Sequence, residues 1–162
     1  LALNNLGAIR LSKKSYTQAV NLVRKAIQIN PKEPMFFMNL ETIYKQMGNP
    51  SLIITDYNFY LKEKEDLDLI RGYGMAVGRN MRQASFRLYN KGYLEKTILK
   101  WVEIEKIYKE IDHQSGLVSV YFSLGILYEE KGESQNAKNY FDLVLKLNPL
   151  HIQAKERLYN IR

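Results

Sequence analysis

Cysteine is absent from the 162 residues, which excludes disulfides, thiolate nucleophiles and cysteine-ligated zinc in this sequence. That absence leaves the compartment open, because cytosolic and periplasmic chains can both do without the residue. Proline (4) and glycine (9) are too few for a collagen-like or low-complexity chain. Histidine occurs twice, as His113 and His151, each isolated and without carboxylates in register, so no metal site is expected and both read as surface residues. No apolar run approaches the length of a bilayer span. One of the longest, from Phe122 to Tyr128, is broken by Ser123 and Gly125. The first residues do not read as a signal peptide, because no basic start precedes them and Asn4 and Asn5 interrupt the apolar positions. Leu1 instead falls inside a helical pattern already under way. This predicts a piece of a longer chain, with no targeting segment to choose between cytoplasm and periplasm.

What is present suits a helical core. Hydrophobic residues make up 46% of the chain, and no stretch sustains the alternation of a half-buried strand. The net charge of +7 is compatible with nucleic acid, an anionic membrane surface or an acidic protein segment, and selects none of them. Asn30-Pro31 and Asn148-Pro149 predict helix ends, since proline donates no backbone hydrogen bond and restricts the residue before it. Gly48, Gly92 and Gly132 predict tight turns. Ser15 with Gln18 three residues later reads as a capping box opening a helix.

The most informative stretch is Tyr121-Phe122-Ser123-Leu124-Gly125-Ile126-Leu127-Tyr128, followed by Ala137, Phe141 and Asn148-Pro149. An echo lies at Leu3, Leu6-Gly7, Ala19, Ala26 and Asn30-Pro31. These offsets resemble those of the tetratricopeptide repeat (TPR) family. The resemblance implies an all-α fold: a right-handed superhelical α-solenoid of about four helix–turn–helix units, followed by a C-terminal helix. In such a unit two antiparallel helices cross where a small residue lets the backbones approach. Gly7 with Ala19 and Gly125 with Ala137 fill that role, and Tyr121, Tyr128 and Phe141 are the aromatic fillers of the last unit.

The expected units are approximately residues 1–33, 34–67, 78–111 and 118–151, with an insert at 62–77 and the terminal helix at 152–162. In the second unit Glu41 and Ile53 stand where small residues are expected, so its helices must cross more loosely or Glu41 must turn outward. In the third, Ser85 is the small residue and Trp101 takes the slot that Phe141 has in the last unit. The insert opens on the charged run Lys62-Glu63-Lys64-Glu65-Asp66 and contains Gly72 and Gly74, shortly before Gly78. That spacing, with no preceding strand and no following Lys-Ser/Thr, fails both the dinucleotide and the P-loop pattern and predicts a joint or a helix start. The terminal helix is expected to carry Ile152, Leu158, Tyr159 and Ile161 as its apolar members.

By resemblance, the first helix of each unit lines a concave groove that takes peptides or helices, and catalysis is rare. The chain therefore reads as a non-enzymatic adaptor or scaffold without a cofactor. The groove residues expected to meet a protein or peptide partner are Met38, Asn39 and Thr42 in the second unit. Arg79, Arg82, Gln83, Phe86, Tyr89 and Asn90 follow in the third, and Phe122, Ser123 and Ile126 in the fourth. Arginine beside aromatics points to an acidic partner with apolar anchors. Phe86, Tyr89 and Phe122 read equally well as residues packed against the next helix. A carboxylate clamp known from one subgroup of the family fits poorly, because its other slots hold Asn4, Ala8 and Gln83. Two alternatives belong to other classes: a structural or oligomerisation segment of an assembly, and nucleic-acid association through the basic stretch from Arg71 to Lys109. Asp112, His113 and Ser115 are neighbours on a short joint and cannot converge as a catalytic triad.

Overall fold

The computed structural model describes residues 1–64 and 66–161; Glu65 of the charged run and Arg162 of the terminal helix lie outside the described residues. Every regular element among them is an α-helix. In chain order these are α1 (Ala2–Ser12), α2 (Tyr16–Ile29), α3 (Pro34–Gln46), α4 (Leu52–Glu63), α5 (Leu67–Asn90), α6 (Leu94–Glu110), α7 (Gln114–Glu130), α8 (Ser134–Leu147) and α9 (Ile152–Asn160). The chain is an α-solenoid of helical hairpins. It divides into two compact units, Leu1–Val77 and Gly78–Arg162, with the boundary inside α5. None of these helices is long and apolar enough to cross a membrane.

The turns follow one rule. The turns α1–α2, α3–α4, α5–α6 and α7–α8 each pass through one left-handed residue: Lys14 (φ 57°), Gly48 (φ 76°), Gly92 (φ 77°) and Gly132 (φ 83°). Glycine fits three of these positions because it has no Cβ to meet the following carbonyl, whereas Lys14 adopts the conformation despite its side chain. The helices before Asn30-Pro31 and Asn148-Pro149 end at Ile29 and Leu147, as the prolines require. Ser15 does occupy the N-cap position of α2, but its side chain makes no capping bond. At φ −85° and ψ 64° the backbone is not in the extended conformation that aims an N-cap hydroxyl at the helix amides, so the expected capping box does not form.

Within the first unit, α2 buries Ala19, Val20, Val23, Ala26 and Ile27, the i, i+1, i+4, i+7, i+8 stripe of a helix packed on one face. Gly7 sits against it so closely that a Cβ there would lie 2.7 Å from Val23 Cγ2. Glu41 stays inside, 8% exposed, and Ile53 is fully buried, so the second hairpin does not turn its glutamate outward. Instead α3 and α4 pack less closely than α7 and α8 do, the looser crossing.

Around Gly72, Gly74 and Gly78, where a joint or a helix start is expected, the chain is continuous helix within α5. Leu69, Ile70, Tyr73, Ala76 and Val77 recur at helical spacing and are all buried, which makes residues 67–77 an extension of α5. Gly72 is needed there because Phe37 fills the space a Cβ would take, and the ring of Tyr108 does the same at Gly78. Phe37 meets Tyr73 edge-on at 5.1 Å, and Tyr60 stacks on Tyr73 at 5.0 Å. Beside them Asp56 accepts from Arg24 Nη2 and from the Tyr44 hydroxyl, both at 2.6 Å. Burial, followed by the bond to Asp56, pushes the Tyr44 hydroxyl well above its ordinary pKa.

In the second unit the last hairpin is the tightest. Ala137, Phe141 and Val144 of α8 are fully buried, and a Cβ on Gly125 would lie 2.5 Å from Phe141 Cε1. Tyr128 stacks on Tyr140 at 5.5 Å. Ser85 and Trp101 are both buried. Of the apolar members expected for the terminal helix, Leu158 and Ile161 are half-buried, whereas Ile152 and Tyr159 are exposed. The residue that anchors α9 is Ala154, fully buried. A small side chain lets the helix axis come close, and its larger neighbours then point away.

Candidate partner-binding pocket

Arg82, Phe86 and Tyr89 are spaced i, i+4, i+7 on α5 and so share one face of the helix. Phe86 is 53% exposed and Tyr89 is 42% exposed, unusual for large aromatics in a chain this size. The Phe86 ring meets Trp101 of α6 edge-on at 6.0 Å, in the geometry favoured by aromatic quadrupoles. On the same indole rests the guanidinium of Arg82, 5.7 Å from the ring centroid. Together with Thr97, one turn before Trp101, these aromatics face Ser123, Ile126 and Leu127 of α7 across a pocket of about 220 Å³. Its lining side chains are apolar apart from three hydroxyls and the indole N–H of Trp101. That volume lies below the roughly 300 Å³ at which small-molecule sites begin, and suits one large side chain.

Each hydroxyl on the wall is already engaged. Thr97 Oγ1 donates to Tyr93 O and Ser123 Oγ donates to Ser119 O, both at 2.9 Å. The Tyr89 hydroxyl donates to Glu130 Oε2 at 2.9 Å, and the bond to that carboxylate raises its pKa. Arg82 Nε is buried and has no hydrogen-bond partner among the described residues. Burial, and then the charge of Arg82, lower the pKa of His113. His113 stands edge-on to Tyr108 at 4.9 Å and is half-buried. His151 is half-buried as well: it caps α9 by accepting from Ala154 N, and its ring lies 4.8 Å from Phe122. Neither histidine is therefore the plain surface residue expected. Each is held by an aromatic neighbour at the start of a helix.

Of the residues singled out in the sequence, Phe86, Tyr89, Ser123 and Ile126 come together in this pocket, with Arg82 beside it. Phe122 points elsewhere, into Phe141 at 5.8 Å and His151. Arg79 is half-buried, whereas Gln83 and Asn90 are exposed; none of the three lines the pocket. Met38, Asn39 and Thr42 belong to α3 in the first unit. There Met38 is exposed, Thr42 Oγ1 bonds Met38 O, and Asn39 Nδ2 donates to Asn4 Oδ1 at 2.9 Å. Sequence reasoning treated Trp101 as packing and passed over Thr97 and Leu127. The missed signal was a lone tryptophan with a small residue one turn before it.

These hairpins, each with a tight left-handed turn and all but the second with a small residue at the crossing, define a helical-repeat architecture. The tetratricopeptide repeat family model matches residues 2–33 and 118–149, the first and the last of these hairpins, and supports a tetratricopeptide-repeat assignment. Among curated proteins it is similar to the uncharacterized protein ycf37 of Pyropia yezoensis, 21% identical over 140 residues, covering 79% of this chain and 75% of the relative. Among solved structures it is similar to YrrB, described as a TPR protein with an unusual peptide-binding site. That match has 18% identity and a TM-score of 0.36, covering 96% of this chain and 72% of the other. It is also similar to TTC0263, a thermophilic TPR protein of Thermus thermophilus, at 18% identity and a TM-score of 0.31, covering 99% and 97%. The repeats that the family model matches support a protein-interaction module in general.

Proposed function

We propose that this chain is a non-enzymatic adaptor that holds a segment of a partner protein against the second unit, with one apolar side chain seated in the pocket between α5, α6 and α7. The observation that carries this reading is the convergence of Phe86, Tyr89, Trp101 and Ile126 on one opening while Phe86 remains half in solvent. A large aromatic left exposed beside a buried tryptophan costs hydration free energy that a partner would recover. Acidic residues next to the anchor complement Arg82, whose buried Nε lacks an acceptor among the described residues. From Arg79 to Asn90 the helix also carries Arg87 and no acidic residue.

The reading is tested by comparing capture from a cell extract by the wild-type chain, Phe86→Ser and Arg82→Gln. A partner retained by the wild type and lost from both variants, whose helical circular dichroism is unchanged, supports the reading. Equal retention by all three overturns it. A second reading, assembly with other copies or subunits through α9, is favoured by the exposure of Leu150 (81%), Ile152 (69%) and Tyr159 (88%). A mass that rises with concentration in light scattering, and falls back in Tyr159→Asp, distinguishes it.

A further inference from the structure

We infer that the segment seated on the pocket is bipolar, with an acidic residue on one side of its apolar anchor and a basic residue on the other; this rests on the partner-binding reading above. Arg82, Phe86 and Tyr89 follow one another at about one turn each on a single face of α5. The stripe they form is therefore about 10 Å long. Phe86 and Tyr89 line the pocket, and Arg82 lies on the indole of Trp101, which lines it too.

The Arg82 end of this stripe is a cation short of an anion. Its guanidinium rests 5.7 Å from the Trp101 centroid, its buried Nε makes no hydrogen bond, and it forms no ion pair among the described residues. A ring face attracts the cation without neutralising it. The Tyr89 end is an anion short of a cation. Here α7 ends on two glutamates, Glu129 and Glu130. Glu129 Oε2 is paired with Arg157 Nη1 of α9 at 3.1 Å. Glu130, exposed, accepts from the neutral Tyr89 hydroxyl at 2.9 Å and forms no ion pair among the described residues. The hydrogen bond holds its full negative charge beside a residue of the lining.

A segment acidic on both sides of its anchor would satisfy Arg82 and meet the like charge of Glu130. One basic on both sides would do the reverse. Opposite charges flanking the anchor answer both ends at once. In an extended segment the residues two before and two after the anchor share its face and stand about 13 Å apart, enough to span the stripe.

The test uses short blocked peptides with a central phenylalanine and charged residues two positions before and after it: Asp with Lys, Lys with Asp, Asp with Asp, and Lys with Lys. Affinities for the whole chain are measured by isothermal titration at one salt concentration. The better of the two mixed peptides should bind about two- to fivefold tighter than either like-charged peptide, the effect of one exposed ion pair. Glu130→Gln keeps an acceptor for Tyr89 and removes the charge, so there the advantage over the Asp–Asp peptide should vanish. Arg82→Gln should likewise abolish the advantage over the Lys–Lys peptide. A like-charged peptide that binds the wild type as tightly as the better mixed one, or a mixed advantage that survives Glu130→Gln, overturns the inference and leaves the partner-binding reading standing. No binding of any peptide by the wild type, or binding indifferent to Phe86→Ser, overturns both.

Discussion

At the scale of single residues, the molecule is governed by where atoms are missing. Gly125 gives its Cβ space to Phe141, which is fully buried and has nowhere to retreat. Gly125→Ala should therefore destabilise the second unit by up to about 2 kcal/mol: overpacking costs roughly 1–3 kcal/mol, and the better helix propensity of alanine returns about 1. Urea denaturation reads the difference. His113 makes a second residue-scale prediction. Its pKa is held below the ordinary imidazole value by burial and then by Arg82, so the folded chain binds its proton less readily than the unfolded one. Stability from this group is complete above about pH 6.5, the unfolded imidazole value, and is lost as pH falls from there through the lower folded value. The variant His113→Gln should lose that part of the acid dependence, seen as a flatter melting temperature between about pH 7 and pH 5. The Gly125 contact was legible from the sequence as the small residue of a helix crossing. The state of His113 was not, because nothing in the sequence around it shows that Arg82 and Tyr108 fold against it.

At the scale of elements, hairpin turns and helix lengths decide the architecture. Lys14 performs in the first hairpin what glycine does in the other three, at a positive φ that strains a side-chain-bearing residue. Lys14→Gly should raise stability by about 0.5–1 kcal/mol and Gly92→Ala should lower it by about 1 kcal/mol, opposite signs from one conformational cause. Thermal melts of the two variants check this. Asn30-Pro31, Asn148-Pro149 and the turn glycines made most helix ends readable in advance. The extension of α5 through Gly72 and Gly74 was not readable, since glycine inside a helix usually marks an end. Here Gly72 is the space that the Phe37 ring requires, a fact that exists only once α3 lies beside α5. The same holds for α9, anchored by Ala154 rather than by the larger apolar residues, of which the fold leaves Ile152 and Tyr159 in solvent.

For the whole molecule, charge and repeat number set the terms of association. With a net charge of +7, the chain should attract an acidic partner over distance as well as in the pocket. Raising sodium chloride from about 50 to about 500 mM should slow association with such a partner by about tenfold or more while changing dissociation far less, because salt screens the approach and not the seated contact. Stopped-flow fluorescence or surface plasmon resonance separates the two rates. A dissociation rate that carried most of the salt effect would point instead to exposed ion pairs as the seated contact.

The amino-acid sequence alone determined that this is an all-helical repeat chain, because periodicity, small residues at crossings and proline stops are local features written along one dimension. It also showed an arginine and aromatics recurring on one helix face. What only the tertiary structure decided is which of those residues share a space. Phe86, Tyr89, Ser123 and Ile126 meet around Trp101, while Phe122 packs away from them, because pocket walls come from three helices whose separation no local pattern encodes. The hydroxyl polarity of that pocket follows from the helices themselves and from Glu130: two protons go to carbonyls one turn back and one to the carboxylate.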